Sequence, residues 1–238
     1  MPAPAPTTGD RRPLASRSWP IMQRVAAALA RAGVSPNAIS LAGMVFGVAG
    51  GAALATTDSL GAAELTHITP VQRVLFAAAA VCVQLRLLCN LLDGMVAVEG
   101  GRASPVGELY NELPDRVSDA ATLIGAGYAL SGSPEAGFVA ALFAVLTAYV
   151  RAVGKGAGQG SDFSGIMSKP RRMALMTAAC VAVSVLPGAW MARLAVDVHN
   201  LHLPFMGVVL SITAIGSACT CLGRTRRLAA KLRVAGGR

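Results

Sequence analysis

Six long apolar runs constrain the fold of this 238-residue chain more than any other feature. The runs cover residues 38–57, 74–98, 120–134, 136–150, 173–192 and 203–223. Four of them reach the roughly 20 residues that an α-helix needs to cross a bilayer, and only the second contains charged residues, Arg86 and Asp93. The chain is therefore predicted to be an all-α integral membrane protein with six transmembrane helices.

The two shorter runs are expected to continue as helix into polar flanks. The six helices are placed at about residues 38–57, 72–98, 108–133, 136–154, 171–192 and 202–222. They belong to one membrane domain over residues 20–225, preceded by a disordered tail over 1–19 and followed by a basic tail over 226–238. The N-terminal tail is rich in Pro, Ala and Thr and lacks the apolar core of a signal peptide.

Charge predicts the orientation of these helices. The chain has a net charge of +9 although only 14% of its residues are charged. If both termini are cytoplasmic, 18 of the 21 Lys and Arg residues lie in the inner segments, as the positive-inside rule requires in an inner or plasma membrane. Because these cations are spread over loops on one membrane face and only 5% of residues are aromatic, nucleic acid is not an expected partner.

Residues 20–32 predict a short amphipathic juxtamembrane helix, since Pro20 suits a first helical turn and Gly33 suits a C-cap. Its apolar face would carry Ile21, Val25 and Leu29, with arginines on another face. Such a helix is expected to rest on the inner leaflet. A solvent-exposed linker helix is the alternative.

Two polar clusters stand at the cytoplasmic boundary of the second and third expected helices. Asn90 and Asp93 are three residues apart and share one helical face. The second cluster places Glu108, Asn111, Glu112 and Asp115 on another face. Carboxylate and amide oxygens are ligands for hard cations such as Mg²⁺, Mn²⁺ and Ca²⁺, so the two faces predict a metal site. Solvated helix ends are the alternative.

The spacing of the two clusters resembles a family signature. The chain reads Asn90-x2-Asp93-Gly94-x2-Ala97-Val98-x8-Gly107-x3-Asn111-x3-Asp115, and the CDP-alcohol phosphotransferase signature reads D-x2-D-G-x2-A-R-x8-G-x3-D-x3-D. Every gap agrees, and the resemblance extends over about residues 20–225. The chain departs from the signature at three positions, where Asn90, Asn111 and Val98 replace two aspartates and an arginine.

The resemblance implies the roles of these residues. The four aspartate positions hold one or two Mg²⁺ or Mn²⁺ ions, which here gives the ligands Asn90, Asp93, Asn111 and Asp115, and the last also serves as general base. The implied nucleotide-binding residues are Asn90, Asp93, Gly94, Ala97 and Gly107. Glu108 and Glu112 are candidates to restore the lost negative charge, and Arg102 to replace the lost arginine.

A basic loop between the fourth and fifth expected helices adds a candidate acceptor site. Its cations are Arg151, Lys155, Lys169, Arg171 and Arg172. They would suit the phosphate of a phosphorylated alcohol. Positive-inside topology with contacts to anionic membrane lipids explains the same residues equally well.

The family resemblance implies a membrane phosphatidyltransferase of phospholipid biosynthesis. Such an enzyme moves a phosphatidyl group from a CDP-linked lipid to a small alcohol or phosphorylated alcohol and releases CMP, and it is expected to be a homodimer. A non-catalytic lipid- or nucleotide-binding scaffold of the same fold is the alternative, because two signature aspartates are missing. A transporter is disfavoured, since the polar residues gather on one side of the membrane and the sequence shows no internal repeat.

Overall fold

A computed structural model of the chain describes residues 15–60, 64–99, 106–198 and 201–236. Its helices are α1 Pro20–Arg31, α2 Pro36–Ala55, α3 Pro70–Glu99, α4 Gly107–Gly127, α5 Pro134–Gly156, α6 Lys169–Val185, α7 Gly188–Ala192 and α8 Phe205–Gly236. Two short strands, β1 Val196–Val198 and β2 Leu201–Leu203, form an antiparallel hairpin before α8. Most of the tail expected over 1–19, and Arg102, lie outside the described residues.

Proline and serine residues start the long helices. Pro36, Pro70 and Pro134 each stand at the first helical position, where a missing N–H costs nothing. The Ser35 and Ser133 side chains cap α2 and α5 by accepting hydrogen bonds from Ala38 N and Ala136 N. These local signals explain why α2, α3 and α5 each begin within two residues of the expected position.

Three helix ends and the hairpin differ from the sequence prediction. The third expected helix runs to 133, but α4 ends at Gly127 because a turn with Ser131 at φ 61° follows. The fifth runs to 192, but α6 ends at Val185, since Leu186 before Pro187 is extended. The basic tail expected over 226–238 is helical through Gly236 as part of α8, and the hairpin was not predicted.

The long helices alternate in direction and gather their charges at one end. Ser40 near the start of α2 contacts Asp93 near the end of α3, and Glu108 at the start of α4 contacts Lys155 at the end of α5. We call this the charged end. Helix α6 begins there, and the C-terminal part of α8, which the sequence predicts to be cytoplasmic, extends away from it. The main hydrophobic core lies toward the other end and joins α2, α3, α4, α5, α6 and α8.

Glycines bring α2 and α4 into backbone contact. A Cβ on Gly51 would lie 2.2 Å from the carbonyl oxygen of Ala121, and one on Gly47 would lie 2.3 Å from the Cβ of Ser118. Gly43, one turn earlier, faces Cys89 of α3. Small residues at every fourth position of α2 thus allow close helix approach.

Four described helices are long and apolar enough to cross a membrane: α2, α3 over Pro70–Val98, α5 and α8. The chain is therefore a mostly helical membrane protein. The other two long helices differ for a reason that concerns function: α4 contains five charged residues of the charged end, and the 17-residue α6 begins with Lys169, Arg171 and Arg172. The side chains of the candidate site thus lower the hydropathy of the helices that hold them.

The short helix α1 lies between Pro20 and Gly33, where the sequence predicts a helix. It packs through Ala26 against Leu91, Leu92 and Met95 of α3. Its Ile21 and Val25 side chains are exposed.

Candidate functional site

Asp93 anchors the site on α3. Its carboxylate is buried, with only 6% of the residue exposed. Ser40 of α2 donates a hydrogen bond to its Oδ2 at 2.7 Å, and Gly94 N donates to its Oδ1. Since a carboxylate offers about four lone-pair positions, these two bonds orient Asp93 and leave acceptor capacity.

The two asparagines of the signature lie in different surroundings. Asn90 is half-buried against α2, where its Oδ1 lies 3.8 Å from the position of a Cβ on Gly43. Its Nδ2 is buried and makes no hydrogen bond to the described residues. Asn111 on α4 is exposed. Neither side chain supplies the negative charge that the signature has at its position.

Asp115 on α4 is surrounded by cations. Arg86 approaches its Oδ1 at 3.3 Å, Arg116 approaches its Oδ2 at 3.4 Å, and Lys169 of α6 forms an ion pair with the same Oδ2. Arg86 lies two turns before Asp93 on α3, so its ion pair with Asp115 joins α3 to α4 at the charged end. The structure therefore places the two retained signature aspartates at the same end of the bundle.

A buried ionic layer lies beneath Asp115. Arg86 is fully buried and pairs with Asp119 at 2.5 Å, while its Nε donates to Ser118 Oγ at 2.7 Å. Arg172 of α6 pairs with the other oxygen of Asp119 at 3.2 Å and donates to the Met167 carbonyl. Arg86 is thus paired with two carboxylates of α4.

The acidic face of α4 forms a ladder of ion pairs with α5. Glu108 pairs with Lys155, and Glu112 pairs with Arg151, each at 2.5 Å. Glu112 also accepts from Arg116. Both candidates for restoring negative charge are therefore engaged with cations of the predicted acceptor loop.

The loop between α5 and α6 folds onto α8. Asp162 accepts hydrogen bonds from Ser164 and from Arg227, and Arg224 donates to the Ser164 carbonyl. Partial burial raises the pKa of Asp162, but the bonds from Ser164 and the Arg227 guanidinium outweigh it and hold that pKa below its usual range. Arg151 also lies 5.3 Å from the centre of the Phe163 ring. Residues 162–164 of the loop are thus held in place by contacts with α8 and α5.

All five cations of the predicted acceptor site are engaged in contacts. Lys155, Arg151, Lys169 and Arg172 each pair with an acidic residue of α4. The fifth, Arg171, donates to the carbonyls of Gly165 and Ile166 at 3.2 Å. The sequence prediction grouped these residues correctly at one end of the bundle, but it did not anticipate their partners.

Gly94 has an unexpected basic neighbour. The guanidinium Nη2 of Arg17, just before α1, lies 3.9 Å from the position that a Cβ on Gly94 would take. Val98, which replaces the signature arginine, is 57% exposed one turn further along α3. Ala97 is half-buried beside it, and Gly107 forms the start of α4.

Two site residues were missed by sequence reasoning. Ser40 and Arg17 gave no signal, because each contacts a residue more than 50 positions away in the chain. Asp119 belongs to the second polar cluster of the sequence, since it follows Asp115 by four residues and lies on the same face of α4.

Fold and site together define a class of protein: a helical membrane protein with a carboxylate- and arginine-rich site at one end of its bundle. No family model matches the chain. The phosphatidylinositol phosphate synthase of Mycolicibacterium smegmatis is 29% identical over 209 residues, which cover 84% of this chain and 80% of that protein.

Solved structures share the fold. They are crystal structures of the phosphatidylinositol phosphate synthase PgsA1 of Mycobacterium tuberculosis at 20% sequence identity. The complex with manganese and citrate has a TM-score of 0.63 and covers 87% of this chain and 88% of that one. The complex with CDP-DAG has the same TM-score and covers 87% and 93%. The signature spacing and the shared fold thus make this chain similar to phosphatidylinositol phosphate synthases.

Proposed function

We propose that the chain is a membrane phosphatidyltransferase of phospholipid biosynthesis. It transfers a phosphatidyl group from a CDP-linked lipid to the hydroxyl of an alcohol and releases CMP. The observation that carries this proposal is the position of Asp93 and Asp115 at the same end of the bundle, on helices whose residues keep every gap of the signature. The relative named as a phosphatidylinositol phosphate synthase supports the same reaction class.

The donor chemistry of the site fits a divalent cation. Asp93, Asn90, Asn111 and Asp115 offer oxygen atoms, which Mg²⁺ and Mn²⁺ prefer. The buried Asp93 is held in one orientation by Ser40, which favours a preformed ligand. A bound ion would supply neutralisation of the diphosphate charge of the donor.

Asp115 is the proposed general base. The reaction needs a group that takes the proton from the acceptor hydroxyl, and that group must be ionised beforehand. The ion pairs from Lys169 and Arg86 favour the carboxylate form of Asp115. Lys169 therefore supports the base without itself being required to contact substrate.

The nucleotide is assigned to the surface around Gly94. Gly94, Ala97 and Gly107 are small, so the diphosphate can approach the backbone closely. Arg17 lies directly over Gly94 and presents a guanidinium, the group best suited to bind phosphate oxygens. We assign it the role that the signature arginine would have at Val98.

The acceptor is assigned to the cations of α5 and α6. The name of the Mycolicibacterium relative favours a phosphorylated polyol. In this chain Arg151 and Lys155 already pair with Glu112 and Glu108, so an acceptor phosphate would have to exchange with those carboxylates. A panel of acceptor alcohols with and without a phosphate group separates phosphorylated from unphosphorylated acceptors.

The membrane arrangement is part of the proposal. Six helices, α2 to α6 and α8, span the bilayer, and α1 rests on the inner leaflet with Ile21 and Val25 in the lipid. Both termini and the active site face the cytoplasm, which the positive-inside distribution supports. A homodimer is included on the strength of the family resemblance.

Release of CMP from CDP-diacylglycerol tests the function. The purified protein with Mg²⁺ or Mn²⁺ is expected to release CMP with at least one acceptor from a panel of serine, glycerol phosphate, inositol and inositol phosphate. The variant Asp115→Asn should lose roughly 100- to 10,000-fold in rate, the usual contribution of a general base. Asp58→Asn, an exposed carboxylate at the opposite end, should keep the wild-type rate.

A non-catalytic scaffold is the second candidate. The observation that favours it is the engagement of Asp115 by three cationic side chains at a site that has lost two signature aspartates. If the folded protein binds the CDP-lipid but releases no CMP with any acceptor, this result would establish the scaffold and refute the enzyme.

A further inference from the structure

The surroundings of Asp115 differ from those of a carboxylate free to ligate metal. Both of its oxygens face cationic groups: Arg86 at Oδ1, and Arg116 together with Lys169 at Oδ2. A divalent cation placed beside these three cationic groups would be repelled.

The total charge of the four signature positions also disfavours a second divalent cation. The signature has four carboxylates, which balance two divalent cations. Here Asn90 and Asn111 leave two carboxylates, which suffice for at most one divalent cation. A second ion would add two positive charges next to Lys169 and Arg86, and no third carboxylate at the signature positions remains to balance them.

We propose that the Lys169 ammonium takes the place of a second divalent cation at Asp115, so that each protomer binds one such ion, on the Asp93 side of the site. This inference rests on the proposed function for the identity of the site. In the signature the last aspartate is both a metal ligand and the general base. Here Asp115 acts as base, and Asp93 with the asparagine oxygens holds the ion.

The start of α6 keeps Lys169 in this position. Lys169 is the first residue of the helix, and Pro170 fixes the backbone of the first turn. One turn on, Arg172 is 2% exposed and pairs with Asp119, which lies one turn beyond Asp115 on α4. Two parallel ion pairs between α4 and α6 therefore hold the ammonium against Asp115.

Titration of the purified protein with Mn²⁺, followed by electron paramagnetic resonance of the free ion, tests the inference without turnover. We expect one Mn²⁺ per wild-type protomer. Lys169→Met should bind its Mn²⁺ about tenfold or more tightly, because one adjacent positive charge is gone. Lys169→Met combined with Asn111→Asp should bind two ions.

Lys231→Met is the control, since it removes an exposed lysine of α8 that has no assigned role in the site. It should keep the wild-type stoichiometry and affinity. Lys169→Arg keeps the charge and should also bind one ion. Two Mn²⁺ ions or none on the wild-type protein would overturn the inference, even if Lys169→Met fails to fold.

The two proposals fail separately. One bound Mn²⁺ without release of CMP would refute the enzyme and keep the single-ion site. Release of CMP with two bound Mn²⁺ ions would keep the enzyme and refute the role of Lys169.

Discussion

In the proposed site, the Arg17 side chain compensates for the arginine that the signature has at position 98. Val98 has no charge to offer a diphosphate, yet the guanidinium of Arg17 lies 3.9 Å from the Cβ position of Gly94. The cation therefore comes from a segment 77 residues earlier than Gly94 in the chain, brought there because α1 packs on the end of α3.

Replacement of Arg17 by glutamine should weaken binding of the CDP-lipid. A hydrogen bond to a charged group contributes about 1.5–3 kcal/mol, so we expect a roughly 10- to 100-fold rise in the dissociation constant. Isothermal titration of the purified protein with CDP-diacylglycerol in detergent measures it. Unchanged affinity would remove Arg17 from the nucleotide site.

Two further variants make this test specific. Arg24→Gln removes an exposed arginine of α1 and should leave the affinity unchanged. Val98→Arg restores the signature arginine one turn from Gly94, and in the Arg17→Gln background it should recover most of the lost affinity. Loss of affinity in both glutamine variants would indicate a general effect of α1 rather than a contact from Arg17.

At the scale of elements, the contact between α2 and α4 positions the site. Gly47 and Gly51 let the two backbones touch, and Gly125 of α4 meets Gly51 from the other side. Because α4 also carries Asp115 and α2 carries Ser40, the glycine contact sets how the two signature aspartates approach each other.

The variant Gly51→Ala should lower the stability of the protein. Its Cβ would lie 2.2 Å from the Ala121 carbonyl oxygen, so the helices must separate, and overpacking of this kind costs about 1–3 kcal/mol. Thermal unfolding in detergent measures the effect. Gly156→Ala, in the last turn of α5 with no neighbouring atom within 4 Å, is the control and should not lower the unfolding midpoint. Equal midpoints for the two variants would contradict the proposed contact.

The sequence predicts which segments are helical better than it predicts what they contact. Uncharged runs located the six long helices, since this signal is local. The end of α4 was placed too late because the apolar residues 128–130 continue the run after the helix has ended at Gly127. The pairing of Lys155 with Glu108 joins residues 47 apart, and no spacing rule along one helix predicts it.

At the scale of the whole molecule, one ionic layer connects most of the bundle. Arg86 of α3 and Arg172 of α6 share Asp119 of α4, and Arg224 of α8 donates to the Thr147 carbonyl of α5. Buried charges within a membrane domain are tolerated only when they are paired. The layer therefore places five helices in fixed relation beneath the site, and removing Arg86 would leave Asp119 with one cation instead of two.

The proposed orientation of the molecule in the membrane rests on the distribution of its basic residues, and chemical labelling tests it. The charged end holds the basic residues that the positive-inside rule assigns to the cytoplasm, and Asp58 lies exposed at the opposite end. In a variant without native cysteines, Asp58→Cys should react with a membrane-impermeant maleimide in intact cells. Lys231→Cys, exposed on α8 beyond the charged end, should react only after the membrane is opened. The reverse pattern would place the active site outside the cell, where no cytoplasmic CDP-lipid headgroup could reach it, and would refute the proposed topology together with its positive-inside basis.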